Sequence, residues 1–253
     1  MDTLISLTDL PVWQFWFCVL VIFLAGIVRG FSGFALSALV MAALVIILPP
    51  IELIVICWFL EMAASILMVK DGVRQWDRTV VLGLVIGSGV GAPIGLYLTN
   101  TLPVDTSKLI VLGIILVLAA LQLLKVRASF LATKPGLYVS GLTAGIVTGL
   151  SSVGGMVVAL YVLAREAPAK VMRGSLVMFL FCSSMVTFIY MYFYGMFEMQ
   201  VVFRGLLWSP VCMAGVLAGQ ALFRPKLEPY YKTFCLCLLI LLAGAGLVRV
   251  GLA

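Results

Sequence analysis

The sequence predicts an all-α polytopic membrane protein built as two inverted repeats, and three observations lead to that prediction. Of the 253 residues, 64% are hydrophobic and only 10% are charged, whereas a soluble domain is nearer half apolar and one quarter charged. The apolar runs are long and do not alternate strictly with polar residues, which favours helices over strands. The third observation is an internal similarity between the two halves of the chain.

That similarity is an ordered series of matches rather than a shared composition. Shifting the chain by 119 positions places residues 25–32 on residues 144–151, with six identical pairs out of eight. The same shift pairs Pro49 with Pro168 and Ser65 with Ser184, and a shift of 124 then pairs Gly91 with Gly215, Gly95 with Gly219 and Lys108 with Lys232. Such an ordered series indicates duplication.

Each repeat is predicted to hold a broken or re-entrant helical hairpin followed by three spanning helices. The first repeat covers residues 1–128, with its hairpin at 13–48 and helices at 51–69, 79–98 and 109–124. The second covers residues 129–253, with its hairpin at 137–164 and helices at 174–194, 205–223 and 233–248. The break in the first hairpin is expected at Arg29 and Gly30. Hairpins that span the membrane fully would also return the chain to the side on which it entered, so the number of crossings in each repeat would stay odd.

Basic residues in the loops give the orientation. Twelve of the 16 basic residues fall in four loops: Lys70, Arg74, Arg78, Lys125, Arg127, Lys134, Arg165, Lys170, Arg173, Arg224, Lys226 and Lys232. The positive-inside rule places these loops in the cytoplasm and both termini outside. Since three crossings per repeat is an odd number, the second repeat enters the membrane inverted.

The sequence lacks residues and motifs that several classes of function require. It has no His, the commonest general base and metal ligand. Its six Cys all lie in apolar segments, where they read as small buried hydrophobes. No Walker-type Gly-Lys-Ser/Thr motif is present, which argues against ATP-driven pumping. An enzyme is therefore not expected, and neither a metal nor a cofactor is predicted.

The hairpin breaks are the candidate substrate site. A helix that restarts after a break directs unpaired N–H groups and the positive end of its dipole toward an anion. The candidate substrate-binding residues are Arg29, Gly30, Phe31, Ser32, Gly33, Phe34, Thr148, Gly149, Ser151, Ser152, Gly154 and Gly155. The alternative is that the Gly and Ser residues only allow tight helix packing. For Arg29, the alternative is a topogenic charge at the cytoplasmic face.

Glu61 lies near the centre of the predicted helix 51–69, where an ionisable group is costly and often functional. It is the candidate coupling or gating residue, together with Ser65 and Ser184. Its position in the second repeat is taken by Leu180, so the repeat does not require it. The alternative is a protonated Glu that makes a single interhelical hydrogen bond.

These segments resemble the TauE/SafE family of sulfite exporters and related sulfonate-linked permeases. The residues that carry the resemblance are Arg29 to Phe34 followed by Pro49, then Leu60 and Glu61 with Ser65, Pro93 and Gly95, Gly149 to Gly155, and Gly215 and Gly219. The resemblance implies a secondary transporter that exports sulfite, an organosulfonate or a comparable oxyanion without ATP.

Two alternatives to this function stay open: a membrane scaffold or accessory subunit without transport, and a transporter of another small anion. The expected location is the cell inner membrane, in multi-pass form. The expected partners are the lipid bilayer and a small anionic substrate such as sulfite or an organosulfonate, with a homodimer as one alternative for the assembly. No nucleic acid partner is expected.

Overall fold

The computed structural model describes residues 8–126, 130, 133–165, 168–222 and 228–251, with backbone alone for 169 and 228–232. The described residues form ten α-helices and no strand. In chain order these are α1 (Val12–Ser32), α2 (Leu36–Leu44), α3 (Pro50–Gln75), α4 (Arg78–Thr101), α5 (Val104–Leu123), α6 (Lys134–Ser151), α7 (Gly154–Ala164), α8 (Ala169–Phe193), α9 (Met199–Leu222) and α10 (Glu228–Gly251). The predicted all-α class is confirmed.

Local sequence signals set several helix ends. The Asp77 carboxylate caps α4 by accepting a hydrogen bond from the Val80 amide at 3.1 Å, and the Thr133 hydroxyl caps α6 by accepting one from the Gly136 amide at 3.2 Å. Each cap satisfies an amide that has no partner inside its helix. Pro50 occupies the first turn of α3, where the missing N–H costs nothing.

Seven helices are long and apolar enough to cross a membrane: α1, α3, α4, α5, α8, α9 and α10. They include all six helices predicted to span, and most extend several residues beyond the predicted apolar segments. The extension has a physical reason, since a helix keeps its hydrogen bonds as it enters the polar interface. The additional candidate is α1, whose 21 residues exceed the short segment predicted there.

The first hairpin breaks later than predicted, and this corrects the expected position at Arg29 and Gly30. Helix α1 continues through both residues and ends at Ser32. Gly33 then takes a left-handed conformation with φ of 80° and donates its amide to the Arg29 carbonyl at 2.9 Å. Ala35 is also left-handed, with φ of 71°. Gly30 is needed for close helix contact rather than for the break, as described below.

The second hairpin breaks where it was predicted to. Helix α6 ends at Ser151, Ser152 adopts a left-handed φ of 57°, and α7 begins at Gly154. Both hairpins therefore pair one longer helix with one of at most eleven residues. Some other predictions concern positions outside the described residues. These positions are residues 1–7 of the N-terminus, which was predicted to lie outside, the repeat boundary at 128–129, and the loop residues Arg127, Arg224 and Lys226.

Glycine-lined contacts join each longer hairpin helix to a helix distant in the chain. Helix α1 packs on α9, and α6 packs on α4. A Cβ added at Gly30 would lie 2.3 Å from the Val216 carbonyl oxygen, and one at Gly145 would lie 2.2 Å from that of Ser88. Backbone therefore touches backbone in both contacts, as small residues allow in membranes.

The central layer is formed by α3 and α8, which pack against each other. Helix α2 lies against α3 and α10, and α7 lies against α8 and α6, so both short helices reach the interior. All nine residues of α2 except Ala43 are buried. Apolar side chains on the outer helices are instead exposed, among them Ile86, Val117 and Leu241. Lipid is the solvent that such side chains suit.

Candidate functional site

Arg29 is completely buried in the last turn of α1. Its Nη2 donates a hydrogen bond to the Ser65 hydroxyl at 3.1 Å and lies 3.3 Å from Glu61 Oε2. Its Nη1 donates to the Gly33 carbonyl, at the hairpin break. A buried guanidinium is tolerated only when its charge is compensated. The compensation comes from inside the protein, through Glu61 on α3.

Glu61 holds the start of α2. Its Oε1 accepts hydrogen bonds from the Ser37 hydroxyl at 2.8 Å and the Ser37 amide at 3.4 Å. Ser37 is the second residue of α2, so the carboxylate satisfies an amide that the helix leaves without a partner and sits at the positive end of the helix dipole. Glu61 Oε2 has no hydrogen-bond partner among the described residues, so its contact with Arg29 is purely electrostatic.

Two small cavities flank Glu61 and bring the two hairpin breaks together. The smaller, about 10 Å³, lies between the starts of α2 and α7 and is lined by Ser37, Glu61, Ser152 and Gly155. The N-cap residues of these helices, Ala35 for α2 and Val153 for α7, make no side-chain capping hydrogen bond of their own. The larger, about 30 Å³, lies between α3, α8 and the end of α6. The two cavities share Glu61, Ser152 and Leu180.

The structure thus brings part of the predicted site together. Arg29, Gly33 and Glu61 form one connected polar cluster with Ser65, while Thr148, Ser152, Gly155 and Ser184 line the cavities beside Glu61. Ser184 also uses its carbonyl to accept a hydrogen bond from the Trp58 indole at 2.8 Å. Of the predicted coupling residues, Ser65 therefore contacts Arg29, and Ser184 lines the larger cavity beside Glu61.

Other predicted residues have local contacts instead. The Ser32 hydroxyl donates to the Val28 carbonyl at 2.7 Å, and the Ser151 hydroxyl donates to the Val147 carbonyl at 2.8 Å. The Ser151 hydroxyl therefore bonds to its own helix, whereas the Ser32 hydroxyl also lies 2.7 Å from the Phe34 carbonyl oxygen and accepts a hydrogen bond from the Phe34 amide at 3.3 Å, at the first break. Neither serine lines the two cavities.

The remaining candidates pack between helices. Gly149 approaches α4 so closely that a Cβ would lie 2.4 Å from the Leu96 amide nitrogen, and its carbonyl accepts a hydrogen bond from Thr99 at 2.9 Å. A Cβ at Gly154 would meet Thr148 Oγ1 at 2.0 Å, so Gly154 allows the close turn between α6 and α7. The side chains of Phe31 and Phe34 are buried at the first break.

The polar cluster has no counterpart in the second half. The shift of 119 pairs Arg29 with Thr148, Ser37 with Met156, and Glu61 with Leu180. Thr148 Oγ1 bonds to its own helix through the Ala144 carbonyl at 2.7 Å. The ion pair therefore lies in the first half of the chain, and Thr148 and Ser152 of the second hairpin line a cavity beside Glu61.

Sequence reasoning missed Ser37, Ser183 and Thr187. Ser37 contacts Glu61 directly, while Ser183 and Thr187 line the larger cavity. A signal was available for Ser37, because a buried carboxylate needs donors and Ser37 lies next to the first break. For α8, the spacing of Ser183, Ser184 and Thr187 places hydroxyls close together on one helix, which is a weaker signal.

A second ion pair was also missed. Arg204 Nη1 lies 2.5 Å from Glu52 Oε2 near the starts of α9 and α3, and its Nη2 donates to the Thr8 carbonyl at 2.6 Å. Glu52 lies in the first turn of α3, so this ion pair and Lys70 are at opposite ends of that helix. The described residues hold no cluster of three or more Cys, Asp or Glu side chains able to bind a metal ion.

Comparison with known proteins places the chain in a family of membrane transporters. The model of the family described as "Sulfite exporter TauE/SafE" matches residues 18–246. A protein of Bacillus subtilis (strain 168) named "Probable membrane transporter protein YdhB" is 30% identical over 149 residues, which is 54% of this chain. The match spans 61% of that relative's length. No solved structure gives a significant match.

Proposed function

We propose that this chain, which belongs to the sulfite exporter TauE/SafE family, is a secondary transporter that carries a small oxyanion across the membrane. The family name supports sulfite as the substrate and export as the direction, and the resemblance of the sequence adds an organosulfonate as a second proposed substrate. A monovalent anion that leaves a negative interior gains about 2.3 kcal/mol per 100 mV, so export needs no ATP.

One observation carries the proposal. Glu61 presents a carboxylate to the Arg29 guanidinium, the Ser37 hydroxyl and the start of α2. These groups are the ones that bind oxyanions in proteins: a guanidinium fork, a hydroxyl and a helix N-terminus. The carboxylate therefore occupies, from within the protein, a place whose chemistry suits a substrate oxyanion.

Substrate binding follows from this competition. An oxyanion placed between the starts of α2 and α7 would replace Glu61 on Ser37 and Arg29, and would gain the unpaired amides of the first turn of α7. Helices broken near the membrane centre, with their positive ends toward an anion, are a recurrent plan in secondary transporters. The cavity there is about 10 Å³, so binding requires the two hairpin breaks to separate.

Substrate-binding roles are accordingly proposed for Arg29, Gly33, Ser37, Ser152 and Gly155. Packing roles are proposed for Gly30, Gly149 and Gly154, whose Cβ positions are occupied by neighbouring atoms. The expected multi-pass membrane location is confirmed by the family match and the seven apolar helices, and the cell inner membrane is the membrane we propose. The homodimer stays a prediction, because no described contact bears on it.

The two halves are also proposed to be inverted repeats, at residues 1–128 and 129–253. Reciprocal packing supports this: α1 contacts α9, and the equivalent α6 contacts α4. The glycines of the two contacts are the pairs that the sequence shifts predict to be equivalent, with Gly26, Gly30, Gly215 and Gly219 in one contact and Gly145, Gly149, Gly91 and Gly95 in the other. A two-fold relation between halves would produce this exchange.

Flux across proteoliposomes tests the function. We expect uptake of sulfite or an organosulfonate, and competition among members of an oxyanion panel, in vesicles that hold the purified protein. Arg29→Gln should abolish uptake, whereas Arg165→Gln should not, because Arg165 lies outside the site and bonds only to the Tyr161 hydroxyl at 3.2 Å. Absence of flux for every oxyanion with the folded wild-type protein would instead support the scaffold or accessory role.

A further inference from the structure

We propose that the larger cavity beside Glu61 is a binding site for a monovalent cation with the chemistry of Na⁺, and that binding of this cation is coupled energetically to binding of the oxyanion. The cavity, about 30 Å³, is lined by six oxygen-bearing side chains: Glu61, Thr148, Ser152, Ser183, Ser184 and Thr187. One water needs roughly 10–15 Å³ of such space, so a small ion with one water fits. The role in coupling rests on the proposed function; the binding site itself does not.

The lining includes oxygen acceptors, and the Ser183 hydroxyl is already hydrogen-bonded to the Ser88 hydroxyl at 3.1 Å. The Thr148 hydroxyl donates its only hydrogen to the Ala144 carbonyl at 2.7 Å, so its oxygen has lone pairs alone for the cavity. Glu61 Oε2 and Thr187 Oγ1 are buried and have no hydrogen-bond partner within the described part of the chain. A buried oxygen without a donor is costly. A cation would give Thr187 Oγ1 a partner and would share Glu61 Oε2 with Arg29 Nη2, which lies 3.3 Å away.

The helix geometry favours a positive charge at the same place. Helix α6 ends at Ser151 with Ser152 as its C-cap, and both Thr148 and Ser152 line the cavity. The end of an α-helix carries partial negative charge from carbonyls without partners, which stabilises cations. Broken helices bind coupling ions with such ends in secondary transporters. The anion would lie on the other side of Glu61, at the helix starts.

The charge count selects a monovalent ion. Among the described residues that line the cavity, Glu61 alone carries a carboxylate, and it already lies 3.3 Å from Arg29. Ca²⁺ is bound by several carboxylates, and Mg²⁺ demands near-octahedral geometry with tightly held waters. One shared carboxylate among neutral hydroxyls supplies too little negative charge for either.

The site gives a physical route to coupling. A cation beside Glu61 Oε2 would neutralise the carboxylate and weaken its hold on Arg29 and Ser37. Both groups would then be available to a substrate oxyanion on the opposite side. Each ion therefore favours binding of the other, because the two together leave no unpaired charge in the buried site.

The test measures ion binding and flux separately on the full-length protein. Purified protein is titrated with NaCl against choline chloride at constant ionic strength, and the thermal midpoint and ²²Na⁺ binding are recorded. We expect a saturable rise in the midpoint with Na⁺ and none with choline. Thr187→Val should weaken Na⁺ binding at least tenfold, and Ser183→Ala provides a second, milder removal of a ligand.

The matched control is Thr143→Val, since Thr143 lies on α6 outside this cavity and its hydroxyl bonds to the Val139 carbonyl at 2.8 Å. It should bind Na⁺ as the wild type does. Equal midpoints in Na⁺ and choline with no bound ²²Na⁺, or oxyanion flux that follows a proton gradient and ignores Na⁺, would overturn the inference and leave the transport proposal intact. Na⁺ binding without flux of any oxyanion would support the cation site and reject the transport proposal.

Discussion

Arg29 Nη2 and Glu61 Oε2 lie 3.3 Å apart, and the two side chains are 0% and 8% exposed. Each charge is therefore separated from water and depends on the other for compensation. The contact ties the end of α1, at the first hairpin break, to the middle of α3. Any movement of that break must also rearrange this ion pair.

Loss of either charge should destabilise the protein more than loss of both. Glu61→Gln and Arg29→Gln each leave one buried charge without a partner, which costs about 3–5 kcal/mol. The double variant removes both charges and should recover part of that loss. Thermal or chemical unfolding in detergent of the four proteins gives the coupling energy. Additive effects of the two substitutions would show that the ion pair contributes nothing.

Arg29→Lys should separate charge from geometry. Lysine keeps the positive charge but lacks the planar fork that binds two oxygens at once. We expect insertion and folding to persist while the apparent KM for the oxyanion rises at least tenfold in the proteoliposome assay. An unchanged apparent KM would rule out a substrate contact for Arg29 and leave the residue with a structural role.

Ser37→Ala should destabilise the site through Glu61. The substitution removes a 2.8 Å hydrogen bond to a charged oxygen, a type worth about 1.5–3 kcal/mol. Ser209→Ala is the matched control, because its hydroxyl bonds only to its own helix through the Gly205 carbonyl at 2.7 Å. The control should change the free energy of unfolding by less than half as much. Equal losses would mean that Ser37 does not hold the carboxylate.

Alanine at an interface glycine should prevent assembly of the helix pair. A Cβ at Gly219 would lie 2.1 Å from the Ile27 carbonyl oxygen, so α1 and α9 would have to separate. Gly113→Ala meets nothing within 4 Å and should be neutral or stabilising by about 0.5–1 kcal/mol, since alanine favours helices. Yield of monodisperse protein on size-exclusion chromatography compares the two. Normal yield of Gly219→Ala would contradict the packing.

Labelling should place two equivalent positions on opposite faces of the membrane. The shift of 119 pairs Val73 at the end of α3 with Tyr192 at the end of α8, and both are exposed. On a background with all six Cys replaced by Ala or Ser, which should keep its transport, Val73→Cys should label from the cytoplasm and Tyr192→Cys from outside. Labelling of both from one face would exclude inverted repeats.

Much of the architecture could be predicted because it depends on one-dimensional signals. Long apolar runs give spanning helices, and Ser152 followed by Val153, Gly154 and Gly155 marks a break that the structure also has. Gly30 gave the wrong position for the first break, since a glycine in a membrane helix serves either close packing or a turn, and sequence alone does not separate the two uses. The family resemblance is confirmed by the family match.

The site was predicted only in part, for a physical reason. Arg29 and Glu61 were recognised because charges within apolar segments are rare. Their contact depends on how α1 and α3 pack, which the sequence does not state. Serine costs little in a membrane helix, so the sequence separates only weakly Ser37, which contacts Glu61, from Ser32, which bonds to the Val28 and Phe34 backbone.

The reciprocal helix contacts have a consequence for how the chain is made. Helix α1 leaves the ribosome early, but its backbone partner α9 begins at Met199. Until then α1 must stay in the bilayer with the surface of Gly26 and Gly30 covered by lipid or by an insertion factor. A polypeptide that stops after α5 would lack the partners of both α1 and α4. Neither half is therefore a folding unit by itself, and two separately synthesised halves should become stable only when they are produced in the same membrane.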